Sequence, residues 1–464
     1  MTDKQKKIAM VGIMLTLILA ILDQNIVSTA SLSIAADLDP VHGLTLMPWL
    51  ITVYALAATA ALPLYGKLCD VYGAKRVYLA AVGLFLFGSA LCGVAQDLPQ
   101  LIACRTVQGL GGGGLMAVTL VVAAQLMPAE RRGSAGGVGG LMAGLGMVAG
   151  PLIGGLFTDH LGWRWIFYVN LPVGLFVLVS GALAIKLEDG GQARRIDYLG
   201  AALAAAGASV LLLVVEWGGK TYAWDSATIL AMIALDVALV AGFVWRQATA
   251  AEPILPPELL RNAVVRVVLP LQVLTGLGMA GSIFYTIVYL QTVMAVHPTD
   301  SGLYLIPMAA GMVVSGTVSG MMINRGSRAK PFLLSGFAFI AVSLFLLGLM
   351  GTAGSVLTIG FDLLVLGLGF GQVLGIAILM AQNAVPLSAL GTATTAVRFA
   401  QTLGMALGTA IFGVVLNRVV GADRGVEAFA GGTHAVFWTA AAVMLATLLL
   451  GTLLREERQS APVS

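Results

Sequence analysis

Apolar residues in this chain do not alternate with polar ones. They run in long blocks parted by short polar connections. A bilayer-crossing helix needs about 20 predominantly apolar residues. Fourteen blocks meet that length: 8–30, 47–67, 77–95, 99–125, 135–157, 164–185, 197–217, 226–246, 264–291, 302–323, 332–350, 355–380, 389–416 and 434–454. The longest polar stretches, 186–196, 247–262 and 417–433, are too short for a soluble domain. The pattern predicts an all-α integral membrane protein of 14 transmembrane helices. Composition agrees: 59% of the 464 residues are hydrophobic, only 10% are charged, and mean hydropathy is +0.95. A soluble domain carries about 25% charged residues. The N-terminal Met-Thr-Asp-Lys-Gln-Lys-Lys leads straight into the first block with no small-residue cleavage site, which reads as a retained span.

Charge placement predicts orientation. With the N-terminus in the cytoplasm, the inside segments hold 19 of the 25 Lys and Arg, as the positive-inside rule requires. An even number of spans then puts both termini in the cytoplasm, and the expected location is the inner (plasma) membrane. All four histidines (His42, His160, His297, His434) fall outside with no ligand spacing, and the three cysteines (Cys69, Cys92, Cys104) form no spaced motif. No metal site, no cofactor and no disulfide framework is expected. The net charge of +3 gives no reason to expect a nucleic-acid partner.

An internal repeat follows from the glycines. Gly109-Leu110-Gly111 recurs as Gly367-Leu368-Gly369, and Gly146-xxx-Gly150 as Gly404-xxx-Gly408, both at an offset of 258. Residues 1–195 and 263–464 are therefore read as two pseudo-symmetric six-helix bundles, with residues 196–262 as an inserted helix pair and linker. Two such halves suit a rocker transporter with its site between them.

The connection after span 2 reads Gly66-Lys67-Leu68-Cys69-Asp70-Val71-Tyr72-Gly73-Ala74-Lys75-Arg76. Its acid and bases suit either a latch that pairs in one state and breaks in another, or a topology determinant. This stretch resembles the conserved cytoplasmic loop motif of the major facilitator superfamily. Arg105-Thr106-Val107-Gln108-Gly109-Leu110-Gly111 is similar to that superfamily's helix-4 arginine motif. Gly146 to Gly155, with Gly150, Pro151 and Gly154, is similar to the antiporter motif of its exporters. Leu22-Asp23-Gln24-Asn25-Ile26-Val27 and Trp163 to Pro172 resemble signatures of the drug:proton antiporters and of their 14-helix branch. The first of these departs from the family pattern at Asn25, Ser28 and Leu32. The resemblance covers the whole chain and implies proton-driven export. It implies a place for Arg105 in the proton-coupling network, beside helix 1.

Charges inside a bilayer are costly and are functional candidates by default. Five stand within spans: Asp23, Arg105, Asp236, Asp362 and Arg398. Asp23 is expected to be the coupling acid, because a carboxyl that meets water on one side and substrate on the other can load and unload a proton. Asp362 suits a second proton site, an anchor for a cationic drug, or a place at the outer interface. Arg398 suits a cavity floor, anion handling or a structural ion pair. Asp236 is read as structural or oligomeric. Gly146, Gly150, Gly154 and Gly155 let helix 5 approach a neighbour closely, and Pro151 permits a bend. Candidate lining residues are Gln24, Asn25, Tyr285, Tyr289, Gln291, Tyr304 and Arg398. With no P-loop and no catalytic constellation, the chain reads as a transporter and not an enzyme. The expected activity is proton-coupled export of lipophilic or amphipathic drugs. Its expected partners are small amphipathic substrates, protons and membrane lipids, and it is expected to be a monomer. The alternative is a dedicated exporter of one natural product, antibiotic or lipid.

Overall fold

The computed structural model describes residues 3–40, 43–127, 150, 153–158, 160–187, 196–219, 221–296, 302–350, 355–421 and 425–454. These are almost wholly helical. The helices are α1 (Asp3–Leu38), α2 (Gly43–Tyr72), α3 (Ala74–Val94), α4 (Leu98–Leu126), α5 (Trp165–Tyr168), α6 (Asn170–Ala184), α7 (Tyr198–Trp217) and α8 (Ala227–Thr249). There follow α9 (Pro257–Arg261), α10 (Val265–Met279), α11 (Tyr285–Thr292), α12 (Ile306–Asn324), α13 (Ala329–Leu347), α14 (Val356–Asn383), α15 (Leu390–Val420) and α16 (Val426–Thr452). A π-helical turn, Ala280–Phe284, joins α10 to α11 without interrupting the span. Thirteen of the described helical stretches are long and apolar enough to cross a membrane. They fall on 13 of the 14 predicted blocks. The remaining block, 135–157, lies mostly outside the described residues.

Helices are the form this sequence must take in lipid, where each backbone polar group has to be satisfied within its own segment. Their ends show the usual devices. Asp97 accepts from the Gln100 N–H at 2.7 Å to open α4, and Ser226 accepts from Ile229 at 3.3 Å to open α8. Gly73 takes φ +86° between α2 and α3, a left-handed turn that a side chain would strain.

Because lipid tails are as apolar as leucine, helices in a bilayer associate by close packing. Glycines provide it. A Cβ on Gly113 would press on the backbone of Ala58, and one on Gly371 on the backbone of Met312. Helices α1 to α6 pack chiefly among themselves, as do α10 to α16. The two sets meet where α15 lies against α2 and α4. Helix α7 packs on α2 and α15, and α8 packs chiefly on α7. Only Ile229 of α8 is buried, while Leu230, Val237, Val244 and Trp245 face outward.

Candidate functional site

Within the first set, four helices bring polar side chains to one sealed point. Asp23 from α1 and Arg105 from α4 form an ion pair at 2.7 Å, with side-chain exposures of 0% and 1%. Gln108, one turn beyond Arg105, donates from Nε2 to Asp23 Oδ1 at 2.7 Å, and its Oε1 accepts from Arg105 Nη1 at 2.7 Å. Asn170, at the start of α6, donates from Nδ2 to the same Oδ1 at 3.0 Å and to Ser89 Oγ of α3 at 3.1 Å. Ser89 in turn donates to the Phe167 carbonyl at 2.9 Å. Arg105 Nε donates to the Leu50 carbonyl at 3.2 Å, and the guanidinium carbon lies 4.1 Å from the centre of the Tyr54 ring.

A carboxylate here would carry a desolvation penalty of several kcal/mol. Two amide donors and one cation offset it. Arg105 therefore does not reach to the surface. Its planar fork is spread over a carboxylate, an amide and a carbonyl, a geometry that lysine would not reproduce. Two polar groups remain over: the acceptor Asn170 Oδ1, and the Tyr54 hydroxyl, which can donate or accept, are buried with no partner among the described residues.

A second site lies at the end of the molecule that carries the N-terminus. Asp70, near the end of α2, accepts from the backbone N–H of Gly391 at 3.0 Å, from that of Thr392 at 3.0 Å, and from the Thr392 hydroxyl at 2.6 Å. These are the first-turn donors of α15, which have no partner inside their own helix and sit at its positive pole. In this arrangement the acid of the loop does not pair with the loop's bases. Asp70 closes on a helix N-terminus and meets no Lys or Arg at ion-pair distance among the described residues. Lys75 instead donates to the Ala182 carbonyl at 2.9 Å, within the first set, and Arg76 is exposed. Gly66 is what allows the approach, since a Cβ there would lie 3.0 Å from Thr392 Cα and 3.1 Å from the Gly391 carbonyl. Lys67 pairs with Glu252 of the linker at 3.0 Å.

The profile of the Major Facilitator Superfamily matches residues 13–409. The chain belongs to the Major Facilitator Superfamily. It is a multi-pass membrane protein and a transporter by family. It is 33% identical over 415 residues to the multidrug transporter protein MdtP of Bacillus subtilis, covering 89% of this chain and 76% of that one. It is 32% identical over 413 residues to multidrug resistance protein 3 of the same organism, covering 89% and 80%. An uncharacterized MFS-type transporter of Mycobacterium tuberculosis is 35% identical over 411 residues, but the match spans 89% of this chain and only 59% of that relative. Among solved structures, the human organic anion transporter MFSD10 superposes with a TM-score of 0.68 at 16% identity, covering 97% of this chain and 100% of that one. The proton:xylose symporter XylE superposes with a TM-score of 0.66 at 14% identity, covering 97% and 95%. Both show the shared superfamily fold.

The remaining sequence-predicted residues of this superfamily member are scattered. Gly146 and Pro151 lie outside the described residues. A Cβ on Gly150 would meet Asn25, and one on Gly154 would lie 3.0 Å from the Ile26 carbonyl, so these two form a seam with α1. Gly155 faces open space and takes no part in it. Tyr285 and Tyr289 are 2% and 1% exposed. The Tyr285 hydroxyl donates to the Thr409 carbonyl at 3.3 Å, and Tyr289 packs against His434 and Phe437. Both are core residues here, not cavity lining. Their rings fill the apolar cluster between α11, α15 and α16. Gln24 is exposed, and Asn25, Gln291 and Tyr304 are half-buried. Asp362 is buried on α14, apart from the Asp23 cluster, and its Oδ2 has no partner among the described residues. Asp236 faces Gly207 within the α7–α8 pair.

Sequence reasoning passed over Gln108, Ser89, Asn170 and Tyr54. The signal was present. Gln108 stands one turn from Arg105, and Asn170 lies in the Trp163–Pro172 stretch already singled out.

Proposed function

We propose that this protein is a proton-coupled antiporter that exports lipophilic and amphipathic compounds across the inner (plasma) membrane by alternating access, working as a monomer. On this reading the chain has 14 spans with both termini cytoplasmic, two pseudo-symmetric bundles and an inserted helix pair. The matching glycine contacts of α4 on α2 and of α14 on α12, at an offset of 258, support the two-bundle reading. The names of the Bacillus relatives, a multidrug transporter and a multidrug resistance protein, support a drug-transport reading.

The observation that carries the proposal is the sealed Asp23–Arg105 pair, tied to four helices of one bundle. A proton delivered to Asp23 cancels the ion pair, and the Arg105 guanidinium must then find other acceptors. The neutral acid becomes a donor, for which Asn170 Oδ1 stands ready. The clamp joining α1, α3, α4 and α6 loosens in one protonation state and tightens in the other. The Asp70 contact on α15 holds the N-terminal end shut while the other end exchanges its load. Asp362, remote from this cluster, is assigned a secondary proton site.

Purified protein in proteoliposomes with an imposed proton gradient tests this. The expected result is gradient-driven movement of ethidium and of other lipophilic dyes, abolished in Asp23→Asn while dye binding survives. Wild-type protein that moves no dye at all would favour the dedicated exporter. Normal coupling in Asp23→Asn would remove Asp23 from the mechanism.

A further inference from the structure

The second bundle holds a polar cluster of the opposite kind. Arg398 stands eight residues into α15 from Leu390, about 12 Å along the helix axis. It is partly exposed, and its Nη1 donates to Gln401 Oε1 at 3.1 Å. Its Nε is buried with no acceptor among the described residues. Gln401 Nε2 is directed to the Met279 thioether at 3.2 Å, a weak acceptor.

Helices α10 and α15 run parallel, as the contacts of Gly404 on Val273 and of Gly408 on Leu277 require. A Cβ on Gly276 would meet the Gln401 carbonyl and Met405 N. Gln272, one turn before Gly276 on the same face, therefore stands beside the Arg398–Gln401 turn. Gln272 is 1% exposed, and its Nε2 also has no acceptor among the described residues. Three N–H groups thus lie along one short stretch of the α10–α15 seam, and none of the three has a strong acceptor among the described residues.

Among the described residues no carboxylate of a neighbouring helix supplies one; Glu216, the one acid of α7, stands in that helix's last turn. Asp70 on α2 is committed to Gly391 and Thr392. On α4 the only charge is Arg105, held by Asp23. Asp362 on α14 lies toward the far end of its helix, about 20 Å from Arg398 along the helix axes. Glu427 is in the first turn of α16, and α10 carries only Arg266. Buried N–H groups are almost always satisfied, and a cation in a membrane span faces a partner or a path.

We infer that Arg398, with Gln401 and Gln272, is a recognition site for an anionic group, a carboxylate or a phosphate monoanion, on an amphipathic molecule. The inference rests on the export reading only for the fate of that molecule. The shared chemistry is one to three anionic oxygens at the end of an apolar body, from a transported acid or from a phospholipid headgroup. A guanidinium and two amides fit such oxygens, because planar donors can engage them side by side.

The test compares 1-pyrenebutyrate with its isosteric neutral amide on protein in detergent, with binding read by tryptophan-to-pyrene energy transfer. The wild type is expected to prefer the carboxylate by about tenfold or more, the value of one or two charge-assisted hydrogen bonds. Arg398→Gln removes the preference, Arg398→Lys retains part of it, and Gln272→Leu reduces it about threefold or more, the value of one lost neutral hydrogen bond. Equal affinity for the two probes in wild type, or a preference that survives Arg398→Gln, overturns the inference. If Arg398→Gln fails to yield monodisperse protein, the wild-type comparison and Gln272→Leu still decide it. Native mass spectrometry separates the sources. One phosphatidylglycerol retained by wild type and lost in Arg398→Gln assigns the site to a lipid headgroup, and none assigns it to a transported acid. Binding is read without a gradient, so it does not depend on proton coupling. Ethidium transport that persists with no carboxylate preference sinks this inference alone.

Discussion

The two bundles place an arginine in the membrane in opposite ways. Arg105 meets a carboxylate, an amide oxygen and a backbone carbonyl, and the groups left over around it can accept: Asn170 Oδ1, which only accepts, and the Tyr54 hydroxyl, which can do either. Arg398 meets one amide oxygen, and the groups left over around it are donors. A cluster with spare acceptors is completed by a proton. A cluster with spare donors is completed by an anion. The comparison assigns different tasks to two residues that look alike in sequence, since each is a lone Arg in an apolar span followed by Gln at the third position.

Stability separates the two most sharply. Arg105→Gln leaves Asp23 buried without its cation, and such a change costs about 3–5 kcal/mol. Adding Asp23→Asn removes the uncompensated charge and is expected to recover most of that loss. Arg398→Gln removes a cation that has no counter-charge among the described residues, so its unfolding midpoint is expected to equal or exceed that of the wild type. Thermal unfolding of the four proteins in detergent checks this. A fall in Arg398→Gln as large as that in Arg105→Gln would break the comparison.

The contact between the bundles gives the next effect. Asp70→Asn removes the charge from the N-terminus of α15 but keeps an oxygen acceptor. Hydrogen bonds to a charged group are worth about 1.5–3 kcal/mol. Losing most of one moves the gate equilibrium by about tenfold toward opening. Tyr72 and Leu387 are exposed on the two sides, so spin labels there report the gate. The expected result is a longer, broader distance distribution in Asp70→Asn, and an unchanged one would deny Asp70 the role of a latch.

Much of this was legible in the sequence because lipid simplifies the pattern. A span must be apolar and helical, so 13 described helices fall on the predicted blocks. The five intramembrane charges were legible for the same reason, whereas the place of Arg105 beside helix 1 came from the resemblance of its motif, and the 2.7 Å ion pair with Asp23 agrees with it. Partners were less so. Asp70 was matched with Lys75 and Arg76 because a sequence displays side-chain charges, whereas its actual partners are backbone N–H groups of α15, 321 and 322 residues away. Tyr285 and Tyr289 were read as lining because a tyrosine suits both a wet wall and a packed core. Which of the two it occupies depends on neighbours such as Phe412, Phe437 and His434, which periodicity cannot supply.

Close packing provides a test in which the halves should behave alike. Gly113 and Gly371 both face the backbone of a neighbouring helix, at Ala58 and at Met312. Backbone cannot yield as a side-chain tip can, so Gly113→Ala and Gly371→Ala are each expected to cost about 1–3 kcal/mol. Equal costs, measured by thermal unfolding, would confine the difference between the bundles to their polar clusters. A cost in one half alone would show that their scaffolds differ as well.

The smallest effect is expected at Lys67–Glu252, the pair that fixes the lower end of the scale. Lys67 is nearly sealed, but the Glu252 side chain keeps 34% of its exposure and water screens it. Such half-wet pairs contribute about 0–1 kcal/mol. Glu252→Gln is therefore expected to lower the unfolding midpoint barely, if at all. Lys67→Met should also be near neutral, because the long stem is already packed and methionine fills similar space. The contrast with Arg105→Gln depends on water. Both changes break an ion pair with a nitrogen–oxygen distance near 3 Å, but only the Asp23 pair is closed to solvent on both sides. If Glu252→Gln cost as much as Arg105→Gln, exposure would not be what sets the worth of a charge in this protein. The opposed readings of Arg105 and Arg398 would then lose their physical basis.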